Sequence, residues 1–209
     1  MKRLILLSIF FYFCLSGFAE SQKINRDNLF EVNESFTYKG KPIHPKLIYN
    51  FSNWMSDDRP PMVTTVDMVA AYDTNKYQLS EIEKRNEWWF YKNIEMDGDI
   101  TLYESFGYRW LGKMENGIHV LETGSSGGGS GFFMDLMLIK FSESEVLWEG
   151  KKEKQLLMSI VGIHSLGDRY EGDIRVYPDK VFIPASERQA GGGAIEKDVE
   201  LTFPKISGD

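Results

Sequence analysis

The stretch Trp88-Trp89-Phe90-Tyr91-Lys92-Asn93-Ile94-Glu95-Met96-Asp97-Gly98-Asp99-Ile100-Thr101-Leu102-Tyr103 decides the fold class. Aromatic and apolar residues run up to Asp97-Gly98 and resume after it. Asp-Gly between two such runs predicts a hairpin, because its type I′ turn carries the twist of the flanking strands. The signal repeats at Asn116-Gly117, between Tyr108–Glu115 and Ile118–Glu122. Two such turns in succession predict an antiparallel meander, bent or broken at Gly107 and Gly112.

Working outward, Thr123-Gly124-Ser125-Ser126-Gly127-Gly128-Gly129-Ser130-Gly131 leads into Phe132–Phe141, a run apolar on both faces. Such a run reads as a central strand or a strand inside a closed barrel. Glu143–Lys154 reads as a polar connection, and Leu156–Leu166 as a second long strand carrying His164 and ending in the turn Gly167-Asp168-Arg169. Ile174–Tyr177 and Val181–Ile183 predict a hairpin through Pro178-Asp179-Lys180. Ala190–Ala194 is a loop, and Val199–Phe203 is the last strand. On the N-terminal side, Pro45–Met55 is the best helix, with Leu47, Ile48, Phe51, Trp54 and Met55 on one stripe and Pro in the first turn. Met62–Tyr72 reads as a strand, Gln78–Asn86 as a short helix or loop, and residues 20–40 as an irregular arm. The expected fold is therefore mainly β: an antiparallel barrel or sandwich built from hairpins, with one short N-terminal helix, in a single domain spanning 20–209.

The first residues read as an address. Lys2-Arg3, the apolar run Leu4–Phe18 and the small residues Gly17 and Ala19 predict a signal peptide cleaved after Ala19, hence a periplasmic or secreted protein. The apolar run is too short to span a bilayer comfortably, so no integral membrane span is expected once the leader is removed. The only cysteine is Cys14, inside the leader, so the mature chain has neither a disulfide nor a Cys-based zinc site. The leader removes two of the 24 basic residues and none of the 31 acidic ones, which takes the net charge from −7 to −9. An acidic chain of this kind gives no support for a nucleic-acid partner. Its 14 Phe, 10 Tyr and 5 Trp favour β-structure and supply rings for stacking on sugars or other flat ligands.

The segment Gly127-Gly128-Gly129-Ser130-Gly131-Phe132-Phe133, followed by an apolar strand and then Leu166-Gly167-Asp168-Arg169 ahead of a hairpin, resembles a pattern in uncharacterised bacterial exported proteins and predicted lipoproteins. The resemblance covers residues from about 120 to 204. It implies export and a C-terminal β-module, and brings no settled activity. Some of those relatives carry an acidic, calcium-like GDxNGDG loop upstream of the glycines. The corresponding Leu111–Gly117 holds one acid and one lysine, so no metal is expected there.

Candidate chemistry is sparse. Gly124-Ser125-Ser126-Gly127-Gly128 matches G-x-S-x-G, which makes Ser126, Ser130, His164 and Asp135 the candidates for a secreted serine hydrolase. That motif works as strand, strained turn and helix, whereas here a strand follows. The three histidines, His44, His119 and His164, fit no metal spacing: His44 reads as a helix-capping neighbour, the other two as satisfied strand residues. Asp168 and Arg169 pair a carboxylate and a guanidinium at a strand end, where Asp can cap turn amides and Arg can pair with a buried acid such as Asp135. Trp88, Trp89, Tyr91 and Tyr108, with Gly128, Ser130, Asp168 and Arg169, form the expected binding set, since alternation puts some of the rings outside the core. The expectation is a non-enzymatic domain that binds a small molecule, an envelope polymer or a protein, with no cofactor and no metal. A hydrolase and an envelope assembly protein are the alternatives.

Overall fold

The computed structural model describes residues 35–51, 63–73, 79–97, 100–127, 129–186 and 195–203. The expected leader, Gly98, Gly128 and the loop expected over Ala190–Ala194 lie outside them. The elements in order are β1 (Thr37–Tyr38), β2 (Lys41–Pro42), α1 (Pro45–Tyr49), β3 (Thr65–Asp67), α2 (Met68–Asp73), β4 (Glu83–Arg85), β5 (Trp88–Asp97), β6 (Ile100–Lys113), β7 (Ile118–Ser126), β8 (Phe133–Trp148), β9 (Lys151–Asp168), β10 (Arg175–Val176), β11 (Lys180–Ile183) and β12 (Val199–Thr202). The fold is mainly β. A curled seven-stranded antiparallel half-barrel runs in the order β3-β9-β8-β7-β6-β5-β4. Strands β5 to β9 follow one another as the expected meander, and β7 is the middle strand.

Both faces of the half-barrel are covered, which explains why the central strands are apolar on both sides. One face carries Tyr91, Phe106, Tyr108, Leu121, Met137 and Ile139, buried against Phe36, Tyr38, Ile43, Leu47, Ile48 and Met68 of the N-terminal elements. The other carries Val120, Met134, Leu136 and Leu138, buried against Tyr170, Ile174, Val181 and Ile183 around the small sheet β10-β11-β12. Truncating a fully buried Leu121 or Leu136 to Ala in such packing costs about 2–5 kcal/mol.

Several expectations need correction. The arm expected over 20–40 is ordered in its described part, where Thr37–Tyr38 pairs with Lys41–Pro42 and Phe36 and Tyr38 are buried in the core. Met62–Tyr72 forms only a three-residue strand before turning into α2, because Asp67 Oδ1 accepts the Val69 and Ala70 N–H groups and starts the helix. Gln78–Asn86 holds strand β4, since Asn86 takes a left-handed φ of 55° and lets Glu83–Arg85 pair with Trp88–Phe90. Glu143–Lys154 is the distal part of one long hairpin. Glu149 and Gly150, both at positive φ, close it, and Trp148 pairs with Lys151. Helix α1 begins at Pro45 as predicted but ends at Tyr49, with Asn50 as its C-cap, short of the expected Met55; residues 52–55 lie outside the described residues.

Candidate functional site

A row of register partners crosses the half-barrel: Phe90, Gly107, Gly124, Met134 and Gly167. Three glycines in one row leave a trough on the face that carries β10-β11-β12. Aromatic rings fill it. A Cβ on Gly107 would fall 2.4 Å from the Phe90 ring, and one on Gly124 would fall 2.3 Å from the Phe132 ring. Trp88 stacks on Phe90 at 5.7 Å and 19°, and meets Phe132 edge-on at 6.2 Å. The result is a partly exposed three-ring platform seated directly on backbone.

Beside the platform lies a charged pair. Arg109 and Glu122 are register partners on β6 and β7, and the Arg109 Nε–H donates to Glu122 Oε2. Glu122 is only 1% exposed, while the guanidinium is partly exposed, 5.8 Å from the Trp88 ring and 3.6 Å from Glu87. Burial raises the Glu122 pKa, and Arg109 only partly offsets it. Desolvation is therefore the larger effect, and removing Arg109 would strand the carboxylate.

The glycine loop is clamped from β9. The Phe132 N–H donates to Asp168 Oδ1 at 2.8 Å, and the Arg169 N–H donates to the Phe132 carbonyl at 2.9 Å. The guanidinium of Arg169 reaches Asp168 Oδ2 at 3.1 Å and also donates to the Ser130 carbonyl. Arg169 itself sits at a φ of 50°. The GGGSG-F and LGDR segments, 36 residues apart, thus fold as one unit that holds Phe132 over Gly124. Asp168 caps an amide as expected. Arg169 pairs with its neighbour Asp168, and Asp135 instead bonds Ser165.

The remaining predicted residues separate. Alternation sends Trp88 to the platform and Trp89 to the opposite face, where Lys84 lies 5.2 Å from its ring. Tyr91 and Tyr108 are core residues of that opposite face; the Tyr108 hydroxyl donates to the Ile43 carbonyl at 2.6 Å. Ser126 pairs with Ser105 at the end of β7, and a strand follows the loop. Asp135 pairs with Ser165, whereas His164 pairs with Leu136, so their side chains lie on opposite faces. Neither serine hydroxyl bonds His164 among the described residues. Phe90, Phe132, Arg109 and Glu122 complete the site. Gly107, expected as a bend, and Gly124, expected in the glycine loop, are paired across β6 and β7, and only that register brings these residues together.

His44 is the N-cap of α1, accepting the Lys46 N–H on Nδ1 at 3.0 Å. Among the described residues neither His119 nor His164 is satisfied as expected: His119 Nδ1 and His164 Nε2 are buried with no hydrogen-bond partner. Among the described residues no cluster of His, Cys, Asp or Glu could hold a metal ion, and no helix is long and apolar enough to cross a membrane. No protein-family model, curated protein or solved structure matches the chain.

Proposed function

We propose that this is an exported, non-enzymatic binding domain whose ligand stacks on the Trp88–Phe90–Phe132 platform, and that the ligand is a saccharide unit of an envelope polymer. The observation that carries this reading is the partly exposed ring cluster fixed on two paired glycines with a hydrogen-bonding ion pair at its side. A sugar needs both parts: a flat apolar surface for its C–H face and polar groups at its rim. Rings held on backbone lose little freedom when a ligand arrives, which lowers the cost of binding. The leader supports export, and the meeting of the GGGSG-F and LGDR segments supports kinship with the exported proteins they resemble.

The test is a titration of soluble cell-wall oligosaccharides followed by melting temperature. Saturable stabilisation that Trp88→Ala abolishes is expected. A broad glycan set that shifts nothing would overturn the reading. One observation favours a second reading, an assembly role. The β8–β9 hairpin continues past the last β7 and β3 partners and presents Leu147 and Trp148, 69% and 62% exposed, at its tip. Co-purification of an envelope protein that is lost in Leu147→Ser/Trp148→Ser would support it.

A further inference from the structure

A cavity of about 230 Å³ opens on the face opposite the platform, bordered by Lys113, His119, Lys140, Phe141, Glu143 and Leu156. His119 lies in its lining and is 2% exposed. Its ring packs edge-on to Phe141 at 5.4 Å and against Phe36 at 5.5 Å. Among the described residues its Nδ1 is buried with no partner, a costly state unless something bonds it. Burial, with Lys113 nearby, pushes its pKa down to about 4, so at neutral pH the imidazole offers a hydrogen bond and no charge.

The charges at the mouth have both signs. Lys113 is the register partner of His119, and Glu143, the partner of Leu156, follows Phe141 on the same face of β8. Among the described residues neither Lys113 nor Glu143 makes an ion pair, whereas Arg109 on β6 and Glu145 on β8 do. Lys140 pairs with Ile118, so alternation directs it to the other face. The volume is below the roughly 300–1,000 Å³ of sites for drug-sized ligands, which suits a small molecule.

We propose that this cavity is a second binding site, for a small zwitterion of the amino-acid class. The carboxylate meets Lys113, the ammonium meets Glu143, the apolar part lies on Phe141 and Leu156, and one polar group bonds His119 Nδ1. A plain anion would leave Glu143 repelling it, and a plain amine would do the same with Lys113. Only a ligand with both charges meets both Lys113 and Glu143. This site is independent of the saccharide platform, from which the sheet itself separates it.

The test is nitrogen NMR of the protein labelled at histidine, titrated at neutral pH with each of the common amino acids and, as half-ligands, with acetate and methylammonium. A saturable shift of the His119 Nδ1 resonance by at least one apolar amino acid is expected, with neither half-ligand matching it. Lys113→Met and Glu143→Gln, both at the solvent-facing mouth, should each weaken that binding about tenfold or more, the loss of one charge-assisted bond. His119→Phe fills the aromatic cluster and should abolish binding while keeping the fold, and Trp88→Ala should leave it unchanged. The proposal is overturned if no amino acid moves the resonance at millimolar concentration, which would leave only a bound water on His119. It is equally overturned if a half-ligand binds as tightly as any amino acid, or if both charge variants keep wild-type affinity.

Discussion

Glu122 and His119 lie three residues apart on the same central strand, and point to opposite faces. Both are almost completely buried. Glu122 has a guanidinium lying against it; among the described residues the Nδ1 of His119 has no partner. The difference shows how one strand can serve two surfaces. On the platform face the buried Glu122 carboxylate is held by Arg109, which partly offsets the cost of its burial. On the cavity face a neutral polar atom is left open, the ordinary state of a group that finds its partner outside the chain.

The comparison breaks most visibly if Arg109 is removed. Arg109→Met leaves Glu122 buried without its partner and should cost about 3 kcal/mol in denaturant unfolding, while Arg109→Met/Glu122→Leu should recover most of it. A loss below about 1 kcal/mol would mean that the ion pair does not matter to the fold.

His119 gives an effect of similar size that depends on pH. Its folded pKa lies near 4 against an ordinary 6.5, so between those values the unfolded chain binds the proton and the folded chain does not. Its contribution is fully present above pH 6.5 and is lost as pH falls towards 4, to the extent of about 3 kcal/mol. His44 is lowered by burial with the same sign, whereas Glu122 and Asp135 are raised and act in the opposite sense. The difference between wild type and His119→Phe isolates one group. That difference in unfolding free energy, measured from pH 7 to pH 4, should shrink in favour of the variant as pH falls; a flat line would show that the imidazole is solvated.

A smaller effect comes from the glycines under the rings. Gly124→Ala forces Phe132 off its seat against the Asp168–Arg169 clamp and should cost about 1–3 kcal/mol, with loss of platform binding. Gly127→Ala meets no atom within 4 Å and should change stability by less than about 0.5 kcal/mol. Equal effects at the two positions would show that the platform does not depend on the trough.

The fold was largely legible because its signals are local. Asn116-Gly117, Pro178-Asp179-Lys180 and the doubly apolar Phe132–Phe141 each announce their own geometry. The misses came where a single side chain decides. Asp67 turns a strand into a helix by capping two amides, and Asn86 makes a turn through a left-handed φ that its charged surroundings hide. The Glu149-Gly150 turn lies in a charged run whose cross-strand Glu–Lys pairing becomes visible only once register is known. The site was legible in part. Trp88 and the glycine–GDR pairing were in view, but which of Trp88 and Trp89 faces outward depends on register, and a one-residue shift would exchange them. Tyr91 and Tyr108 went into the core for the same reason. Nothing in the sequence marked His119 as unsatisfied, because satisfaction depends on strands far apart in the chain.

Trp88 and Trp89 provide the most direct test of the central claim, since they are adjacent, chemically identical and on opposite faces. The measurement is oligosaccharide affinity of Trp88→Ala, Trp88→Phe and Trp89→Ala, each first shown to keep the wild-type circular dichroism. The account predicts that Trp88→Ala loses binding by tenfold or more, about the worth of one aromatic stack, that Trp88→Phe regains part of it, and that Trp89→Ala binds as wild type does. Equal losses at the two tryptophans, or a Trp88→Ala protein that binds unchanged, would contradict it.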